Sequence, residues 1–163
     1  MMKKFLMVAL FALMGATVLK AQNNGVKFIE DKPLSDVLAQ AGKANKYAFV
    51  DVYATWCGPC KSELPAFDAM YEKYGDEVVF MMINLTDGYN ETVNGVKEFV
   101  FDGGYSFPVY YDTKYDAANT YGIYSIPETV FINTDGSIYH TQLGAMSEKV
   151  LENYIKQMIG EEK

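Results

Sequence analysis

The sequence predicts an α/β domain with a central mixed β-sheet flanked by helices on both faces, and three observations predict it. Short, apolar, β-rich runs alternate with segments of helical periodicity along most of the chain. The last two strand runs are joined by Asn133-Thr134-Asp135-Gly136, a turn signal that makes them a hairpin. The length of 163 residues, 50% of them hydrophobic, is enough for one core without disulfide staples.

In chain order, residues 22–27 are polar and expected to be irregular. Residues 33–41 place apolar side chains at helical spacing behind Pro33, a residue suited to a first turn. Residues 47–54 form the continuous apolar run of a strand buried on both faces. A helix opens at Cys57-Gly58-Pro59-Cys60 and reaches about Tyr74, and residues 78–85 are a second buried strand. Residues 86–94, with Gly88, Asn90 and Asn94, read as a mobile loop. A helix over 93–101, a short strand over 107–111 and a short helix over 114–121 follow. Tyr110 and Tyr111 point to opposite sides of their strand, so one at most is expected to face a core. Residues 128–133 and 137–142 are the hairpin strands, and 146–158 an amphipathic helix.

Residues 1–21 read as a secretory leader: Lys3 and Lys4 start it, residues 5–19 are uncharged and mostly apolar, and Ala21 ends it. The apolar stretch is shorter than the roughly 20 residues that span a bilayer as a helix. Cleavage after Ala21 is expected, leaving one domain over residues 22–163. Cleavage removes three lysines and no acid, so the formal net charge moves from -7 to -10. All 14 cationic side chains are lysines. Bidentate guanidinium contacts to phosphate or guanine are therefore impossible, and with this acidic balance a nucleic-acid partner is not expected.

Cys57 and Cys60 carry the chemistry. A two-residue spacing at a helix start puts the first sulfur over unpaired backbone amides at the positive end of the helix dipole. Such a site lowers a thiol pKa by roughly 1 to 5 from about 8.5. Cys57 is expected to be the exposed attacking thiol and Cys60, one turn inside, the resolving one. Gly58 is expected to relieve a tight turn, and Pro59 to preset φ in the first turn without wasting an amide. Trp56 supplies a flat apolar surface beside the sulfur. A structural staple is a poor reading, because so short a loop constrains the unfolded chain little.

The run Trp56-Cys57-Gly58-Pro59-Cys60-Lys61 resembles the active-site signature of the thioredoxin superfamily. Pro65 stands where that family has its helix-kinking proline, and Ser125-Ile126-Pro127 resembles its cis-proline loop. The longer run from Ala54 through Ser62-Glu63-Leu64-Pro65 and the Phe107-Pro108-Val109 segment are similar to the TlpA/ResA-like extracytoplasmic thiol-disulfide oxidoreductases. The amino-terminal region departs from that class, with a helix-like run where the class has a β-hairpin. The resemblance implies a thioredoxin fold, a cis Pro127, and an Ile126 backbone presented to a bound substrate. It makes Asp51 the buried acid that moves the Cys60 proton, with Met82 in place of the lysine that accompanies it. Asp51 should then be harder to ionise. It also makes Glu63 a tuning acid beside the site, against the alternative of an ordinary solvated acid in a first turn.

The expected function is reduction of disulfides in exported proteins by the Cys57/Cys60 dithiol, with no cofactor beyond that redox pair and no metal. A periplasmic or otherwise extracytoplasmic location, a monomeric state, protein disulfide substrates and a membrane electron donor go with it. A disulfide oxidant or isomerase is the alternative within the same chemistry, and a copper-binding module the alternative outside it. His140, the single histidine, is expected to be an exposed hairpin residue, and Tyr124 is a candidate for the substrate groove.

Overall fold

A computed structural model describes residues 26–29 and 33–161; the leader reading of residues 1–21 lies outside them. Six strands form one sheet: β1 (Phe28–Ile29), β2 (Tyr47–Tyr53), β3 (Val78–Asn84), β4 (Val109–Tyr111), β5 (Glu128–Ile132) and β6 (Ile138–Leu143). Their order across the sheet is β1-β4-β3-β2-β5-β6. The first four of these run parallel, and β5 and β6 are antiparallel to their neighbours. Five helices complete the chain: α1 (Leu34–Lys43), α2 (Gly58–Tyr74), α3 (Val93–Gly103), α4 (Asp116–Tyr121) and α5 (Glu148–Ile159).

The sheet is buried on both faces because side chains alternate along each strand. Phe49 and Tyr53 of β2 join Leu64, Phe67, Val96, Val100, Leu151 and Ile155 under α2, α3 and α5. Ala48, Val50 and Val52 join Val37, Ala41 and Ala117 under α1 and α4. Phe49 sits at the centre of the first layer, edge-to-face with Phe80 at 5.3 Å and with Phe131 at 4.9 Å. Both layers being covered corrects the expectation for β4: Tyr111 packs on the first and Tyr110 on the second, each half-buried.

The expected elements are present, with ends that shift by a residue or two. Pro33 caps α1 from outside instead of opening its first turn. β1 was not expected; its two residues are defined by pairing with Val109 and Tyr110 of β4, a contact no local pattern announces. The loop after β3 is not the free segment its glycine and asparagines suggest. The Asp87 carboxylate accepts from the backbone N–H groups of Tyr89, Asn90 and Glu91 and folds it into a compact turn.

Helix α4 has only six residues, and Tyr115 before it is in a left-handed conformation with no capping side chain. Its first turn is held from a distance: buried Asp112, just past β4, accepts from the N–H groups of Asp116, Ala117 and Ala118. A carboxyl group that accepts from three otherwise orphaned donors is a strong cap. Asp112→Ala should therefore cost about 2 kcal/mol in urea unfolding of the oxidised protein. A loss under about 0.5 kcal/mol would mean that α4 does not depend on this carboxylate.

Candidate functional site

The central strand β2 delivers the two cysteines. At its end the chain turns tightly, with the Cys57 N–H donating to the Ala54 carbonyl at 3.1 Å. Trp56 is left on that turn 64% exposed. Cys57 is the N-cap of α2, in extended backbone, and its sulfur accepts from the Cys60 N–H at 3.2 Å. The sulfur therefore occupies the place of a capping oxygen over the first-turn donors, where a negative charge is stabilised. Cys57 and Cys60 are joined as a disulfide with Cα atoms 5.3 Å apart.

Gly58 and Pro59 lie exposed beside the disulfide, and Pro59 is in the first turn, where its missing N–H costs nothing. The expected steric need for Gly58 is not found: a Cβ there would meet nothing within 4 Å. Its effect is to leave the surface next to the sulfur low. The apolar face of α2, Cys60-Leu64-Phe67-Met70-Tyr74, is buried against the sheet. Pro65 lies inside α2 on its exposed side and cannot donate an N–H to the Lys61 carbonyl one turn before it.

The antiparallel register of β2 with β5 sets Val52 opposite Glu128, which brings the segment before β5 to the end of β2. The Ile126–Pro127 peptide is cis. The Ile126 carbonyl oxygen lies 3.8 Å from the Cys57 sulfur, and Tyr124 just before it is exposed. Cys57 is covered more than expected, 5% exposed against 0% for Cys60. Cys57 keeps a little exposure where Cys60 has none, and the expectation of an open thiol does not hold.

Asp51 and Glu63 are both buried. Strand parity sends Asp51 to the same face as Phe49 and Tyr53, beneath α2. Its Oδ1 accepts from Thr129 Oγ1 at 3.0 Å, and Oδ2 has no hydrogen-bond partner among the described residues. Across the parallel ladder stands Met82. Burial pushes the Asp51 carboxyl up to about 7 against the opposing Thr129 hydrogen bond. Glu63 sits on the buried stripe of α2, so the solvated-acid alternative falls. Its Oε2 accepts from the Met146 N–H at 3.0 Å. Burial, then the charge of Asp51, pushes it up to about 8. Two acids that oppose each other's ionisation stand in the layer that also holds the cysteines.

Other expected features lie elsewhere. His140 is not exposed; it is half-buried, paired with Phe131 in the sheet and stacked on Tyr154 of α5 at 4.6 Å. Among the described residues no cluster of three or more His, Cys, Asp or Glu could hold a metal ion. A cavity of about 400 Å³ opens on the opposite face of the sheet, lined by Leu34, Met81, Ile83 and Tyr110. Two buried acids escaped the sequence reading altogether: Asp112, the cap of α4, and Glu91, bonded to the turn before Cys57 from 36 residues away. No spacing rule connects Glu91 to that turn.

Both raised carboxyls bind protons in the folded chain at pH values where the unfolded chain has released them. The folded state thus loses relative stability as pH rises from about 4 to about 8. Asp51→Asn abolishes the Asp51 share. Its stability relative to wild type should improve by a few kcal/mol between about pH 4 and pH 9, at about 1.4 kcal/mol per pKa unit. Guanidinium unfolding of the oxidised proteins measures this, and a gap independent of pH would show that Asp51 is ionised in the fold.

Comparison with known proteins agrees with the geometry. The Redoxin family matches residues 20–158. The chain is 33% identical over 113 residues to the thiol-disulfide oxidoreductase ResA of Bacillus anthracis, covering 69% of this chain and 64% of that protein. The chain thus spans a little under two thirds of the curated relatives it first matches. The crystal structure of StoA from Bacillus subtilis superposes with a TM-score of 0.63 at 28% identity, covering 68% of this chain and 83% of that one. A putative thiol:disulfide interchange protein DsbE from Chlorobium tepidum reaches 0.66 at 22% identity, covering 74% and 84%, and agrees in fold. With its matched span, its six-stranded thioredoxin fold and its Cys57–Cys60 disulfide at the head of α2, this chain belongs to the Redoxin family.

Proposed function

We propose that this protein is an extracytoplasmic protein thiol-disulfide oxidoreductase that works as a reductant. The observation that carries the reading is the Cys57–Cys60 pair at the N-terminus of α2, with Cys57 as the cap. In the reducing direction the Cys57 thiolate attacks one sulfur of a client disulfide. A bond forms between Cys57 and the client, and the other client sulfur leaves as a thiolate. Cys60, deprotonated, then attacks Cys57, expels the second client thiolate and closes the disulfide found here. Two electrons have passed to the client, and a dithiol donor of the same chemistry must return them.

Asp51 and Glu63 are the groups available to take the Cys60 proton. A carboxyl with a pKa near 7 or 8 is matched to proton exchange with a thiol at neutral pH. The exposed Trp56, Gly58 and Pro59, with half-buried Ile126 opposite, form the surface a client strand would meet, and Pro127, which is buried, backs it through the cis peptide. The Gly58-Pro59 interior, similar to that of reducing thioredoxins, supports the direction. The leader-like residues 1–21 support export, and no helix among the described residues is long and apolar enough to cross a membrane. The clients we infer are exported proteins with disulfides, and the electron donor a membrane protein.

Expressing the Cys60→Ser protein in its own cell and isolating what is disulfide-linked to Cys57 tests this. Specific exported proteins should accumulate, and none should in the Cys57→Ser control. A redox titration of the wild type should give a potential nearer the roughly -270 mV of thioredoxin than the roughly -120 mV of the strong oxidant DsbA. A value near the latter would reverse the direction, and an empty trap would remove the enzyme reading.

A further inference from the structure

We propose that Glu91 is a positioning residue for the redox turn: its buried carboxylate, brought in by the β3–α3 loop, grips Thr55 and so sets where Trp56 and Cys57 stand. Thr55 is the second residue of the turn closed by the Cys57 N–H on Ala54. As a turn residue it has no strand partner for its own N–H, and a half-buried donor needs one. Glu91 Oε1 accepts that N–H at 2.6 Å, and Oε2 accepts the Thr55 hydroxyl at 2.8 Å. Two bonds from one carboxylate to one residue fix its orientation as well as its position.

The grip is itself anchored at both ends. Glu91 is 2% exposed, and Oε1 also accepts from Asn84 Nδ2 at 2.6 Å. Asn84 ends β3, is fully buried, and has its Oδ1 occupied by the Thr86 hydroxyl at 2.8 Å. On the other side, Asp87 gathers the Tyr89, Asn90 and Glu91 N–H groups, and the Gly88 N–H donates to the Glu91 carbonyl at 3.0 Å. Those donors hold the Asp87 carboxyl below its ordinary range. Gly88, at φ 76°, permits the turn. The loop is thus preformed and delivers Glu91 as a rigid strut between the end of β3 and the redox turn. Glu91 touches no sulfur. It acts through Thr55 on a sulfur that must align with a client disulfide, and a misplacement of about 1 Å can cost about 100-fold in rate.

The consequence for rate rests on the redox reading above, but the geometry has a readout that does not. Trp56 is the chain's single tryptophan and sits on the gripped turn, so its fluorescence reports the turn directly. Glu91→Ala should keep the far-UV circular dichroism of the wild type, lower the Trp56 anisotropy, and reduce kcat/KM for insulin disulfides about tenfold or more. Glu91→Gln should stay close to wild type, because its amide oxygen can keep the Thr55 N–H and Asn84 bonds while its NH2 donates to the Thr55 hydroxyl. Thr55→Val, which keeps the N–H bond, should change less than Glu91→Ala. A folded Glu91→Ala protein with wild-type anisotropy and a rate within twofold would overturn the proposal. If that variant does not fold, wild-type values of both readouts in Glu91→Asp, whose shorter side chain cannot hold Thr55 and Asn84 from the same loop, would overturn it. A wild-type protein inert toward disulfides would instead defeat the functional reading and leave the anisotropy test standing.

Discussion

Everything at the site depends on the pairing of β2 with both of its neighbours. Parallel pairing with β3 puts the ends of the two strands, Tyr53 and Asn84, side by side. Antiparallel pairing with β5 brings the start of that strand to the same edge. Three segments far apart in sequence therefore meet where β2 stops: the turn into α2, the loop that carries Glu91, and the Ile126–Pro127 segment. A slip of one residue in either register would also turn Asp51 away from α2 and bring Val50 or Val52 to its place. The apolar layers on both faces make that slip costly, because it would send Phe49 and Tyr53 to the wrong side.

The electrostatics of the site follow from burial more than from ion pairing. A thiolate at Cys57 is favoured by the α2 N-terminus, while Asp51 and Glu63 beneath it are disfavoured as anions. These effects are complementary. With pKa values of about 7 and about 8, the two carboxyls are divided between protonated and ionised forms near neutral pH, so they add less negative charge against the thiolate than ordinary acids would. Met82 in the ladder opposite Asp51 contributes by absence of charge: an apolar neighbour leaves desolvation unopposed. Where several N–H donors converge on an exposed acid, at Asp87 in the β3–α3 loop, the carboxyl is instead held below its ordinary range.

How much was legible in the sequence can be judged residue by residue. Cys57 and Cys60 were legible because short-range rules govern them, a helix start and a two-residue spacing, whereas the cis Pro127 was legible only through likeness to a known family. Asp51 was legible from its place on a buried strand and from likeness together. Glu63 was only half-legible, although its three-residue offset from Cys60 and adjacency to Leu64 place it on the buried stripe of α2. His140 was misjudged because hairpin residues are exposed on average; α5 packing over this one is a tertiary event. The loop after β3 was misjudged in the same way, since its composition signals turns but says nothing of what its carboxylates reach.

The sequence by itself determined the alternation of strands and helices, the apolar runs that must be buried, and the redox pair at a helix start. These follow from backbone periodicity and from the chemistry of adjacent residues, both local properties. Only the tertiary structure decided that Cys57 is largely covered, that Asp51 and Glu63 share one buried layer, that β1 exists, and that Glu91 holds Thr55. Each of those depends on which surfaces meet across the sheet. Burial and hydrogen-bond partnership between residues separated by 36 to 83 positions are set by register and layer packing, which no local pattern encodes.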